Sequence, residues 1–335
     1  AIPSLFNTSI QYLNIYDMPK LVLIPYLPTS IQYLQAQNSS NVTPYALEGF
    51  NDVSLEFTCM NELKLFNAPL TALFVLPTLP NTLTQLLLSN CANLEESSLP
   101  SAFPDSLQTL EIGFNANITV LPSLTNTSLI ALNIQWLSNL QNMPILPSTL
   151  TGLVADNCST FTNTSLPASF PDGLLSLAIG YNANIATLPS LANTSITLLD
   201  IINMPSLVKI PFLPSTIQTV YAQNLFGLGG YALEGFEDSS LASFTSLILI
   251  LLFNMNNGSF VSPFPALPPS LVQFDVGGSQ LPIANQAYID AIATNIVNNN
   301  PPLGGIFNAS TMGIVIVPFS PLNVLQTSYS WTVIV

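Results

Sequence analysis

Three acidic residues, Glu111, Asp156 and Asp200, are candidates to share one surface, and two carboxylates so placed can hydrolyse a glycosidic bond. They follow no repeated arrangement, so scattered surface acids are the better reading. The chain has no histidine, which removes the usual general base and metal ligand. Cys59, Cys91 and Cys158 therefore have no histidine partner, and three cysteines leave at least one unpaired, which is no disulfide framework. Asp52, Glu237 and Asp238 lie beside two copies of the segment Tyr-Ala-Leu-Glu-Gly-Phe (45–50 and 231–236). They lack the dense alternating acids of a hard-cation site, and a solvated loop is expected there. No glycine loop cradles phosphate. No catalytic residue, cofactor or metal is expected, and the chain reads as no enzyme.

The remaining chemistry is non-covalent. Tyr12, Tyr16, Tyr33, Phe114, Trp136, Tyr181 and Tyr221 alternate with amides such as Asn14, Gln35, Asn133, Gln135 and Gln223. Aromatic faces beside amide donors and acceptors suit a neutral polysaccharide or a protein surface. Plain packing along a charge-poor sheet is the competing reading. Leu249, Leu251 and Phe253 form a local apolar patch, which more often marks a contact surface than open solvent. Only 6% of residues are charged, with three lysines, no arginine and a formal net charge of −14. Nucleic acid binding needs cations to displace counterions, so it is excluded, and anionic membranes fall with it. No run is long and apolar enough for a membrane-spanning helix, so membrane insertion is not expected.

A repeat must position these side chains. Residues 121–146 and 188–213 are near copies, 67 residues apart. Within them a shorter frame, L-x-x-L-x-L, recurs from anchors Ile10, Ile31, Met60, Leu83, Leu107, Leu129, Leu150, Leu174, Ile196, Ile217, Leu247 and Leu271. Apolar residues two apart in a strand share one face, and stacked units bury what one unit cannot. At the eighth position after the anchor stand Cys91, Asn115, Cys158 and Asn182, for which a buried structural role is expected. The pattern L-x-x-L-x-L-x-x-N/C resembles the leucine-rich repeat over roughly residues 2 to 280. The recurring Leu-Pro (Leu79-Pro80, Leu146-Pro147, Leu213-Pro214) is similar to the short repeats of bacterial and phage surface proteins. Met18, Leu137 and Met204 interrupt the family's asparagine position. The resemblance implies a mainly β solenoid of about 12 coils over 1–280. Its parallel sheet would line a concave face carrying the aromatics named above.

Residues 281–335 are expected to form a small α+β cap. Asn285 can cap a helix whose stripe is Ile289, Ile292, Ala293, Ile296 and Val297, and Ser328–Val333 alternates like a strand. At the other end, Ile2-Pro3-Ser4-Leu5-Phe6-Asn7-Thr8-Ser9 matches Leu188–Ser195, so the chain opens in mid-repeat with no cap. An uncapped solenoid end exposes a strand edge and apolar side chains. Ile2, Leu5, Phe6, Leu249, Leu251 and Phe253 are the residues expected in self-association. Ten N-x-S/T sequons, at Asn7, Asn38, Asn41, Asn117, Asn126, Asn157, Asn163, Asn193, Asn257 and Asn308, would hydrate so uncharged a surface if glycosylated. Two functions follow: a structural or adhesive surface protein, extracellular or on a virion, that self-associates head to tail; or a monomeric recognition module binding a polysaccharide or protein on the concave face.

Overall fold

The computed structural model describes residues 3–16, 18, 26–37, 58–67, 75–76, 78–91, 93–225, 244–252, 267–278, 286–310 and 312–335. Both copies of the Tyr-Ala-Leu-Glu-Gly-Phe segment and their neighbouring acids lie outside these residues, as do Ile2, Asn38, Asn41, Phe253, Asn257 and Asn285. The protein is a mainly β leucine-rich-repeat solenoid, and its residues fall into two compact units, Ala1–Thr160 and Phe161–Val335.

In the first unit the strands are β1 (Tyr12–Tyr16), β2 (Tyr33–Gln37), β3 (Glu62–Phe66), β4 (Gln85–Leu87), β5 (Thr109–Glu111), β6 (Ala131–Asn133) and β7 (Gly152–Val154). Each pairs in parallel with the next. In the second unit β8 (Ser176–Ala178), β9 (Leu198–Asp200), β10 (Thr219–Tyr221), β11 (Leu249–Leu251) and β12 (Gln273–Asp275) pair in the same way. Every one of the twelve anchors is followed two residues later by a strand, as the repeat frame predicts.

Burial follows the frame. The anchor, the third and the fifth residues after it point inward: Leu107, Leu110 and Ile112, or Leu174, Leu177 and Ile179, have no solvent exposure. The second and fourth residues face out and are exposed or half-buried. Each coil adds several aliphatic side chains to one apolar column, each contributing about 1.5–3 kcal/mol when fully buried. A single coil leaves half of that surface wet, which is why stability requires the stack.

Two devices hold successive coils together. A hydroxyl one residue before the anchor donates to the anchor carbonyl of the preceding coil: Ser30 to Ile10 (2.8 Å), Thr82 to Met60 (2.8 Å), Ser106 to Leu83 (2.7 Å), Thr149 to Leu129 (2.7 Å), Thr216 to Ile196 (3.0 Å) and Ser270 to Leu247 (2.7 Å). These bonds satisfy carbonyls that the short strands leave without a ladder partner. At the eighth position, Asn115 Nδ2 donates to the Leu88 carbonyl (2.7 Å), and the thiols of Cys91 and Cys158 do the same for Leu65 (2.9 Å) and Ile134 (3.2 Å). Cysteine thus does at two coils what Asn115 does at its own, and the structural role expected of these two thiols is met; Leu137 and Met204 bring no such donor to theirs. The prolines act through their carbonyls. Pro80, Pro104, Pro147 and Pro214 each accept the amide of the anchor three residues on, which closes the turn into the strand.

Beyond the repeats, helix α1 (Gln286–Asn298) buries Ile289, Ile292, Ala293 and Ile296, the expected stripe, while Val297 is half-buried. Three elements differ from expectation. β13 (Ile306–Asn308) adds to the sheet beside β12. Helix α2 (Pro321–Ser328) is capped by Ser320 with proline at its first turn. The expected strand over 328–333 is shifted, because Ser328 ends α2 and the strand, β14, spans Thr332–Ile334 beside β13.

Candidate recognition surface

The outward positions of each coil carry the aromatics, and they divide into two kinds. Tyr12 and Tyr33 lie in register on β1 and β2, with ring centroids 5.9 Å apart and planes tilted by 40°. This tyrosine cluster lies on the open face of the sheet, and exposed Tyr16 stands at the other end of β1. Tyr221 sits on β10 in register with Asp200 and Leu251 and is half-buried.

The second kind stands at the seventh position after the anchor, just past the strand. The backbone is left-handed there in every coil whose angle is known. Asparagine occupies it at Asn67, Asn90, Asn157, Asn203 and Asn224, with φ between 49° and 56°, and Gly278 has φ 67°. Asparagine and glycine are the residues that tolerate this region. Three coils place a bulky aromatic there instead: Phe114 (φ 62°), Trp136 (φ 60°) and Tyr181 (φ 60°). Their side chains remain about half exposed, at 44%, 50% and 52%.

Phe114 and Trp136 are on adjacent coils of the first unit, and their rings stack with centroids 5.8 Å apart and planes within 13°. The backbone brings them together: the Phe114 amide donates to the Gln135 carbonyl (2.9 Å) and the Trp136 amide to that of Asp156 (2.8 Å). Gly113 is required at this approach, since a Cβ there would lie 2.7 Å from the Gln135 carbonyl oxygen. Half-buried Asn133 and Gln135 lie beside Gly113, where a Cβ would meet the Gln135 Cγ at 3.2 Å and the Asn133 Oδ1 at 3.5 Å, and the Asn133 Oδ1 accepts the Gln135 amide at 3.1 Å.

The acids are dispersed. Glu111 accepts the Ser89 hydroxyl at 2.6 Å and lies in register between Leu87 and Asn133. Asp200 lies between Ala178 and Tyr221, and burial raises its carboxyl above the ordinary value while its Oδ1 accepts the Ile202 amide at 3.1 Å. In the register of their strands, Glu111 and Asp200 thus have only neutral neighbours. Lys64 pairs with Glu62 at 2.8 Å on β3. Among the described residues no three acids or cysteines gather as a metal site, and no helix is long and apolar enough to cross a membrane.

The residues expected in self-association are only partly described. Phe6 is exposed, whereas Leu5, Leu249 and Leu251 are half-buried. Among the sequons, Asn7, Asn117, Asn126, Asn163 and Asn193 are exposed. Asn163 also accepts the amides of Ala186 and Thr187, and half-buried Asn308 is fixed between Asp275 and the Ser310 amide. The left-handed seventh position had a readable signal, the recurring asparagine against which three aromatics stand out.

No protein-family model matches the chain, and no curated protein matches it. Among solved structures, YopM from Yersinia enterocolitica WA-314 is similar over 77% of this chain, with 23% identity and a TM-score of 0.44. The match covers 53% of that protein, so the chain spans about half its length. The fold assignment rests on the coils themselves.

Proposed function

We propose that the protein is a non-enzymatic recognition scaffold, displayed outside the cell or on a surface, whose sheet face and rim bind a partner. One observation carries this reading: exposed aromatic side chains are held in a backbone conformation that costs the fold energy, at positions where its other coils use asparagine. Residues kept in sparsely populated backbone regions concentrate at binding sites. The scarcity of charge and the exposed sequons at Asn117, Asn126 and Asn193 support an extracellular setting. The separated carboxylates and the absence of histidine support a role without catalysis.

The test is to probe a printed glycan array and an array of extracellular protein domains with the wild-type protein and with the Phe114→Asn, Trp136→Asn double variant. Spots retained by the wild type and lost by the variant support the reading. Identical patterns from the two proteins contradict it.

Head-to-tail self-association, of the kind bacterial and phage surface proteins would use, is the second reading. Its specific support is the exposed apolar run Val315, Val317 and Phe319, the last 93% exposed. Electron microscopy of the purified protein decides it: regular filaments support assembly, and dispersed single particles refute it.

A further inference from the structure

The Phe114–Trp136 pair is built differently from the tyrosine cluster. Nothing in the coil geometry demands an aromatic at the seventh position, since five described coils place asparagine there. An L-residue pays for the left-handed region through its Cβ, and a large ring gains nothing that offsets this in the turn itself. Half of each ring surface is left to solvent, so the rings are not plugs for the core. Their mutual geometry is a stack of two nearly parallel rings on consecutive coils, which leaves aromatic face and edge open to a further flat ligand.

Charge narrows the occupant. The chain's cations are Lys20, Lys64 and Lys209, and none belongs to the coils of Leu107 or Leu129. The charged groups on the coils that carry and flank the rings are all acidic, Glu95, Glu96, Asp105, Glu111, Asp156 and Asp172, which disfavour an anionic ligand. The side chains beside Gly113, next to Phe114, are amides, Gln135 and Asn133. A flat apolar face edged by neutral donors and acceptors matches one ligand chemistry closely. The C–H face of a pyranose ring lies on an aromatic ring, while its hydroxyls take up amide hydrogen bonds.

We infer that Phe114 and Trp136 form a stacking subsite for a neutral glycan, with Gln135 and Asn133 as its polar edge. This rests on the recognition reading above and names the ligand class for it.

The experiment is affinity electrophoresis of the intact protein, which migrates as an anion, through native gels containing hydroxyethylcellulose, laminarin or galactomannan, with polygalacturonate as the anionic control. The expected result is retardation by at least one neutral polymer and none by polygalacturonate. Trp136→Asn and Phe114→Asn should each weaken it at least tenfold, and Trp136→Tyr should retain it, because Tyr181 shows that a phenol fits this turn. Far-UV circular dichroism checks that the variants fold, and the wild-type result does not depend on them. Failure of all three neutral polymers to retard the protein, or equal retardation of the double variant, overturns the glycan assignment. If protein-domain spots still distinguish wild type from double variant on the arrays, the wider recognition reading stands without it. If no spot does, both fall.

Discussion

Replacing Trp136 by glycine and by alanine separates the backbone strain at this position from everything the indole contributes. Both variants lose the ring, its stacking on Phe114 and its buried half, so those contributions cancel in the comparison. What remains is the response of the turn to a single Cβ at φ 60°. The left-handed conformation costs an L-residue about 1–2 kcal/mol. Against this, glycine loses about 0.4–1 kcal/mol more than alanine through the entropy of its unfolded chain. The difference leaves Trp136→Gly more stable than Trp136→Ala by about 0–1.6 kcal/mol, centred on roughly 0.8 kcal/mol. At an ordinary strand position, where no left-handed angle is needed, the sign reverses. Urea unfolding followed by circular dichroism reads the difference as a shift in midpoint at constant slope. If the alanine variant proves the more stable, Trp136 is not strained. The claim that its aromatic ring is kept at a cost to the fold would then be refuted.

Other consequences are measurable on the same material. Burial pushes the Cys158 thiol up to about 12, and both Cys158 and Cys91 are buried donors to carbonyls of the preceding coil, whereas Cys59 is exposed. Ellman titration should therefore find one rapidly reacting thiol in the native protein and three in urea; three in the native protein would contradict the packing. Cys158→Ala leaves the Ile134 carbonyl without its thiol donor and should cost about 1–3 kcal/mol of stability in the same urea assay. Asp200 is disfavoured in its ionised form by burial, so its carboxyl titrates higher in the folded chain than in the unfolded one. That penalty is absent below the ordinary value of 3.8 and appears as pH rises through the folded-state value. Asp200→Asn keeps the acceptor for the Ile202 amide, so it should stabilise the protein at pH 7 and lose that advantage below pH 3.8. An equal effect at both pH values would rule out burial as the cause.

The coils were legible because the information in a solenoid is local. Each anchor predicts a strand two residues later from a frame of six residues, and the near copy 67 residues apart repeats the whole pattern. The thiols at 91 and 158 were legible for the same reason, since their position in the frame is that of Asn115. The C-terminal elements were less so. β13 follows no L-x-x-L frame; it depends on Gly305, where a Cβ would fall 2.3 Å from the Trp331 ring. That contact joins residues far apart in sequence, which periodicity does not register. The Ser320-Pro321 start of α2 was a readable capping signal masked by the alternating run after it. At the recognition surface the aromatic types and their outward placement were visible. The left-handed turn under three of them was signalled only indirectly, by the asparagines that share the position on other coils, and the backbone angles give that signal its meaning.

The most direct measurement is acrylamide quenching of tryptophan fluorescence during titration of the intact protein with whichever of hydroxyethylcellulose, laminarin and galactomannan retards it. The chain has two tryptophans. Trp331 is 3% exposed and donates to the Pro302 carbonyl at 2.7 Å, so it serves as a shielded internal reference, while Trp136 is half exposed. Stacking of a glycan on Phe114 and Trp136 predicts that the accessible fraction of the emission becomes protected as the polymer is added, and that Trp136→Asn abolishes this response. Unchanged quenching of the wild-type protein at saturating polymer would contradict the account.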